Sequence, residues 1–346
     1  MDELAAVISA YFPQTRTVTA RELAGGNINR GFLLEDGERR LVVQRLNPAV
    51  FPDPWQVIKN FAVLSSHLVG KNFLVARPVA TLAGADCFQA ADGSLWRAQS
   101  YIEEHALDAT AQPESMGKIL ARFHRLTAGL PPEHLPQTVP GFHDTPRYLA
   151  AADRALAETP ISAQDEADLR WCRHRIERLR PMANYFAKEA AAGKISRQVT
   201  HGDPKRENFI CDKSGRALGL FDLDTAGPGL VAHDLGDCLR SLANLAGEEA
   251  DMADIRFDVD ICQAFLCGYR EEYTEAGEKA PELYAFAGIL TIAFELALRR
   301  LSDHLCGDRY FRVRQHGDNL RLAMAQFRLA ELVAASEQKI RCLAEQ

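Results

Sequence analysis

The chain has 346 residues, with 47% hydrophobic and 25% charged residues and a net charge of −7, an ordinary balance for a globular protein of about two domains. The acidic net charge and the lack of any uninterrupted Lys/Arg block argue against a nucleic-acid partner. The longest apolar stretch, residues 283–294, stops at Glu295, short of the roughly 20 residues a membrane span needs. Eight cysteines without C-x-x-C pairs or Cys/His zinc spacing, and an N-terminus without a leader-like apolar run, fit a reducing cytoplasm.

In chain order, residues 2–11 read as an amphipathic helix. Residues 18–23, 31–34 and 40–46 read as strands, the first two flanking Gly25, Gly26 and Asn27. Val57, Phe61, Leu64 and Leu68 recur at helical spacing over 55–68. Residues 79–83 and 87–90 read as strands joined at Gly84, and 96–102 as a further strand. From Pro113 the pattern turns helical: 114–126, 146–158, 163–188, 234–245, 255–276, 281–305 and 318–343. This predicts an α+β architecture of two lobes, 1–103 with a small mixed sheet and 104–346 mainly helical, with a hinge near 103–112.

Between those helices lies His201-Gly202-Asp203-Pro204-Lys205-Arg206-Glu207-Asn208, followed by Asp222-Leu223-Asp224. Residues 208–211 and 217–221 read as two strands around the turn-forming Asp212-Lys213-Ser214-Gly215. Such a hairpin folds Asp222 back beside Asn208. These are the parts phosphoryl transfer from a nucleoside triphosphate requires. Asp203 would orient an acceptor hydroxyl, Lys205 would neutralise the transferring group, and Asn208 and Asp222 would hold a metal ion. Their oxygens suit magnesium, which keeps waters and phosphates as its other ligands. A second triplet, His316-Gly317-Asp318, has Ala323 where the Asn should stand and reads as a loop and helix start.

Gly25, Gly26 and Asn27 suit a phosphate-cradling turn. The third strand offers no lysine; Arg45 is the preferred phosphate-facing cation and Gln44 its competitor, on opposite faces by period-2 alternation. No Glu stands in 55–68 to complete a Lys–Glu pair. A two-lobe geometry places the adenine at the backbone near 100–103, making Tyr101 a contact candidate. Asp234 reads as a helix N-cap that braces the catalytic loop, and His124 as core packing. Asp303, Asp308 and Tyr310 either line an acceptor pocket or cap and pack a helix end.

The motifs at 201–208 and 221–223 resemble those of the aminoglycoside phosphotransferase/choline kinase superfamily. The N-acetylhexosamine 1-kinase branch is resembled further at 25–30, 43–47, 139–145, 222–225 and 299–305. The resemblance covers residues 20–330. It implies a protein-kinase-like fold, ATP and Mg2+, with Asp203 as base and Asn208 and Asp222 as metal ligands. Asp224 would be a second acidic position near metal or sugar, and Arg299 a cation near the substrate. The expected activity is phosphorylation of the anomeric hydroxyl of an N-acetylhexosamine by a monomer or weak homodimer. The alternatives are a kinase for another small alcohol (aminoglycoside, choline or homoserine), whose cationic acceptor would want the acids at 248–254, or a non-catalytic nucleotide-binding module. A protein kinase is disfavoured by the missing D-F-G and A-P-E elements.

Overall fold

The computed structural model describes residues 2–23, 28–103, 112–160, 162–273 and 281–345. Gly25, Gly26 and Asn27, and the stretch 104–111 that contains most of the expected hinge, lie outside the described residues. Helix α1 (Asp2–Tyr11) precedes strands β1 (Thr19–Glu22), β2 (Arg30–Glu35) and β3 (Arg40–Arg45). Helix α2 (Pro54–Gly70) and strands β4 (Pro78–Val79), β5 (Phe88–Gln89) and β6 (Leu95–Ser100) follow. The sheet runs β1-β2-β3-β6-β4, with β5 also on β6. Every pairing in it is antiparallel, so the sheet is not mixed.

Strands β4 and β5 do not pair with each other. The intervening turn, where Thr81 N–H donates to the Ala85 carbonyl at 2.8 Å, sets them end to end along β6. Alternation gives the sheet two chemistries. Leu41 and Val43 are buried with Val7, Tyr11 and Phe12 beneath α1. The opposite face carries Gln44 and, across the register pair on β6, Arg97. Pro54 at the first turn and the Asp53 side chain, which accepts from Gln56 N–H, start α2 cleanly.

The helical part contains α3 (Pro113–Thr127), α4 (Thr145–Glu158), α5 (Glu166–Leu179) and α6 (Tyr185–Ala191). The helix expected over 163–188 is therefore interrupted: Pro181 has no N–H to give, and Arg180–Asn184 forms a 3-10 turn. Next come β7 (Gln198–Thr200), β8 (Phe209–Cys211), β9 (Ala217–Leu220), β10 (Gly227–Gly229), α7 (Val231–Leu242) and α8 (Val259–Glu272). Helices α9 (Ala285–Leu305), α10 (Asp318–Ala335) and α11 (Glu337–Ala344) complete the chain; Gly317 caps α10 as the second HGD triplet predicted.

The apolar helix α9 meets its burial requirement inside the protein. Phe294, Leu298 and Leu301 are fully buried with Phe327 of α10 and Leu149 of α4, each worth roughly 1.5–3 kcal/mol. Gly236 of α7 and Gly288 of α9 let the two backbones touch where any Cβ would collide. The largest core cluster joins Phe61 and Leu64 of α2 to Phe209, Leu220 and Leu223, and then to α7 and α9. The β8–β9 hairpin thus rests on the core that links the sheet to the helices.

Candidate active site

The loop between β7 and β8 is held from behind by one buried carboxylate. Asp234 accepts from His201 N–H (2.7 Å) and Gly202 N–H (2.9 Å), and from His124 Nε2 (2.9 Å). Burial opposes ionisation of Asp234, but the bond and charge of His124 and the other donors outweigh it and hold its carboxyl below the usual range. Asp234 sits in the first turn of α7, whose N-cap is Leu230, so it braces the loop without capping the helix. His124 belongs to this brace, and its Nδ1 meets the Tyr269 hydroxyl at 2.8 Å. Gly202 has φ +86°, and a Cβ there would lie 2.8 Å from the Thr225 carbonyl, so a side chain is doubly excluded.

Beyond Gly202 the predicted residues converge. Asn208 Nδ2 donates to the Asp203 carbonyl (2.6 Å) and to its Oδ2 (3.2 Å), while Lys205 Nζ lies 3.1 Å from Oδ2. Phe221 N–H donates to the Asn208 carbonyl at 2.7 Å and closes the hairpin, placing Asp222 next to Asn208. Asp222 is left-handed (φ 54°, ψ 69°), an uncommon state for a non-glycine residue and a frequent one at functional sites. His201 donates through Nε2 to the Phe221 carbonyl (2.8 Å) and accepts the Asp203 N–H at Nδ1 (3.3 Å), so both halves of the pattern hang on one neutral ring.

The electrostatics divide the acids. Burial would raise Asp203, yet the Lys205 charge and hydrogen bond, with the Arg240 charge, hold it below the usual carboxylate range. Asp222 is pushed up to about 6 by burial and by its neighbours Asp224 and Asp203. A divalent cation relieves such crowding. With the Asn208 NH2 group committed to Asp203, its amide oxygen and the Asp222 carboxylate are left as hard oxygen donors of the kind magnesium takes. Asp203, Lys205, Asn208, Asp222 and Asp224 open onto one cleft of about 580 Å³, with Gln44 on its sheet side, a size that holds a small-molecule ligand.

The cation on the sheet side is not Arg45. Arg45 shares the α1-covered face of β3 and pairs with Asp92 (2.8 Å) and Glu3 (3.4 Å) at the surface. Arg97 instead lies beside the cleft-lining Gln44 and Asp224, 3% exposed and 2.5 Å from Asp224 Oδ1. Gln44 accepts from Arg97 at 2.7 Å, Phe61 of α2 lies under its guanidinium, and Asn29 donates to the other Asp224 oxygen at 2.7 Å. Asp224 is therefore committed to the sheet rather than free to face an acceptor. Spacing on β3 does not point to Arg97; its signal in the sequence is a lone arginine in an otherwise apolar segment, 95–98. Tyr101 packs its ring against Arg40, 4.3 Å away, and does not line the cleft.

A second recess of about 90 Å³ continues from Asp203 and Lys205 toward α9. Arg299 is placed there among Phe142, Tyr148, Tyr310 and Phe311, each ring 5.3–5.4 Å from the guanidinium, and donates to Tyr310 Oη at 3.1 Å. Asp303 does not join it. Its oxygens accept from the N–H groups of Arg309, Tyr310 and Phe311 and from Asn319, at 2.8–2.9 Å. Asp303 thus fastens the segment that presents Tyr310. The other acids of the recess are paired: Asp237 and Glu248 with Arg240, and Glu295 with His143.

A family model described as "Phosphotransferase enzyme family" matches residues 19–287. The chain belongs to the APH phosphotransferase family. It is an enzyme class that moves a phosphoryl group to an alcohol on a small molecule. The protein-kinase-like fold agrees with solved structures of the family. A microcompartment-associated aminopropanol kinase superposes with TM-score 0.66 at 15% identity over 98% of both chains. Choline kinase from Cryptosporidium parvum Iowa II gives 0.65 at 10% identity, covering 100% of this chain and 99% of the other. Amicoumacin kinase hAmiN, in complex with AMP-PNP, Ca2+ and Ami, gives 0.62 at 16% identity, covering 97% and 94%. At these identities the likeness speaks for the fold.

Proposed function

We propose that this phosphotransferase is an ATP- and magnesium-dependent kinase that phosphorylates a neutral sugar, with the anomeric hydroxyl of an N-acetylhexosamine as the favoured acceptor. In this reading the sheet part, 1–103, takes the nucleotide and the helical part, 104–346, the acceptor. Asn208 and Asp222 hold the metal, which would neutralise phosphate charge. Asp203 accepts a hydrogen bond from the acceptor hydroxyl and takes its proton late, because a loose transition state asks mainly for orientation. Lys205 neutralises the transferring group. Arg97, whose buried Nη1 has no hydrogen-bond partner among the described residues, is the further donor toward the phosphates.

Arg299 carries the acceptor reading. It offers a guanidinium together with the rings of Phe142, Tyr310 and Phe311 next to Asp203, in a recess whose acids are already neutralised. Such a surface stacks on sugar C–H faces and donates to hydroxyl or acyl oxygen, while the Arg299 charge works against an ammonium that the rings alone would attract. Of the residues considered for an acidic pocket, Glu248 is bound to Arg240 and Asp251 to Arg321. A cationic alcohol remains the second reading, favoured by Glu249 and Glu207 on the open cleft and by the acceptor of the choline kinase neighbour. All eight cysteines are free thiols, five of them buried, which agrees with the proposed cytoplasmic location; the working unit is proposed to be a monomer or weak homodimer.

A coupled assay of ATP consumption with magnesium, run against free sugars, amino sugars, choline, homoserine and aminoglycosides, tests this. Turnover of N-acetylglucosamine or N-acetylgalactosamine to an acid-labile 1-phosphate is the expected result. Turnover confined to cationic alcohols would replace the acceptor and keep the phosphoryl chemistry. Nucleotide binding without turnover on any acceptor would favour a non-catalytic module.

A further inference from the structure

Outside the predicted motif, one side chain contacts the catalytic loop from the acceptor side. His143 follows Gly141 and Phe142 in a turn with left-handed backbone at φ 57°, and its ring lies 4.1 Å from Phe142 and 5.1 Å from His233. Its Nδ1 is 3.0 Å from Glu295 Oε1, and its Nε2 is 2.8 Å from the Gly202 carbonyl. A carbonyl and a carboxylate only accept, so both ring nitrogens must donate, and an imidazole donates twice only as the cation. Glu295 is fixed as the anion: it also accepts from Thr145 Oγ1 at 3.0 Å. Burial works against its charge, but His143 and Arg299 outweigh it and hold the carboxyl below its ordinary range.

We infer that His143 is a positioning residue: a buried imidazolium, anchored by Glu295 of α9, that orients the Gly202–Asp203 peptide by donating to the Gly202 carbonyl. The inference rests on the proposed role of Asp203. The peptide unit on either side of Gly202 is then gripped from two directions, by Asp234 at its N–H and by His143 at its C=O. Asp203 follows directly, so the angle at which its carboxylate meets an acceptor is set by charges on α7 and α9. Displacements of about 1 Å in such a group cost on the order of 100-fold in rate.

The charged surroundings of His143 are mixed. Helix α9 presents Glu295 and Arg299, and α7 presents Asp237 and His233. The catalytic loop presents Asp203 and Lys205. Arg197, before β7, lines one cavity together with His143 and His233. Burial disfavours the imidazolium, but Glu295, the Gly202 carbonyl and Asp237 outweigh it, and His143 is raised to about 8. His233, by contrast, is lowered to about 3 by burial and by His143, and stays neutral. Because the His143 value is raised from 6.5, the stability it lends is complete below about 6.5 and is lost as pH rises through about 8.

NMR of full-length protein labelled with nitrogen-15 at histidine and carbon-13 at the glycine carbonyls tests the charge without any acceptor. His143 is assigned from the spectrum of His143→Asn. Both of its ring nitrogens are expected to carry protons at pH 7, with a midpoint near 8 that the Gly202 carbonyl carbon follows. In Glu295→Gln that midpoint falls by about one unit or more. Where an acceptor turns over, kcat declines through the same midpoint, and the decline moves to lower pH in Glu295→Gln while KM for ATP stays put. A His143 ring with a single proton at pH 7, a Gly202 carbon indifferent to its titration, or an alkaline limb unmoved by Glu295→Gln overturns the inference. Failure of the sugar reading alone leaves the NMR results intact.

Discussion

The two ends of the cleft have opposite electrostatic characters. At the phosphoryl end Asp203, Asp222 and Asp224 crowd together, and Asp222 is pushed up to about 6 by burial and by its two acidic neighbours. At the acceptor end the carboxylates are paired, and what faces the recess is Arg299 among aromatic rings. An end with surplus negative charge suits a cation and its polyphosphate. An end with satisfied acids and a stacked guanidinium suits a neutral, hydroxyl-rich molecule. Lys205 stands at the boundary, 3.1 Å from Asp203 and lining both cavities.

The sharpest way to break this division is at Asp203. Asp203→Asn should lower kcat by roughly 100- to 10,000-fold while nucleotide affinity, measured by calorimetry, changes little. Loss of nucleotide binding in a folded variant would put Asp203 in the wrong role. Next in size is the buried pair that ties the sheet to the phosphoryl end. Arg97→Met leaves Asp224 uncompensated and should cost about 3–5 kcal/mol in urea unfolding, whereas Arg97→Met with Asp224→Leu should recover most of that stability without recovering activity. If the double variant were as active as the parent, the pair would be structural only.

At the acceptor end, Arg299→Ala should raise KM for the acceptor by about 10- to 100-fold, equivalent to about 1.5–3 kcal/mol for a charged hydrogen bond, with KM for ATP unchanged. Arg299→Lys should not rescue it, because an ammonium cannot stack in the same four-ring site. An effect on ATP instead would erase the distinction between the two ends. The smallest effect is expected at Arg45. Its pairs with Asp92 and Glu3 are exposed, so Arg45→Ala should shift stability by less than about 1 kcal/mol and leave KM for ATP alone. A large rise in that constant would return Arg45 to the nucleotide site.

The legible part of the site was the part that is local in the chain. Asp203, Lys205 and Asn208 lie within six residues, and turn chemistry at 212–215 carries Asp222 back to them, so spacing alone brings the four together. Period-2 alternation likewise separated Gln44 from Arg45. It did not say which face the cleft would take, because that depends on where α1 docks, and α1 covers the Arg45 face. Arg97 was out of reach for the same reason: it enters only through the pairing of β3 with β6, which lie fifty residues apart. The sequence offers Asp303 and Asp224 as acceptor-side acids, but a carboxylate's partners decide its work. One is occupied by three backbone N–H groups and the Asn319 amide, the other by Arg97 and Asn29.

The sequence by itself determined the chemistry that short-range geometry can build: the catalytic loop, the hairpin that returns Asp222, the helical character beyond residue 113 and the apolar helix that became α9. Only the tertiary structure decided which cation meets Asp224, which acids are neutralised and what surrounds Arg299. Those outcomes depend on pairings between segments 50 to 200 residues apart, such as Asn29 with Asp224 and His143 with Glu295. A charge acquires its function from the burial and partners that such long-range packing imposes.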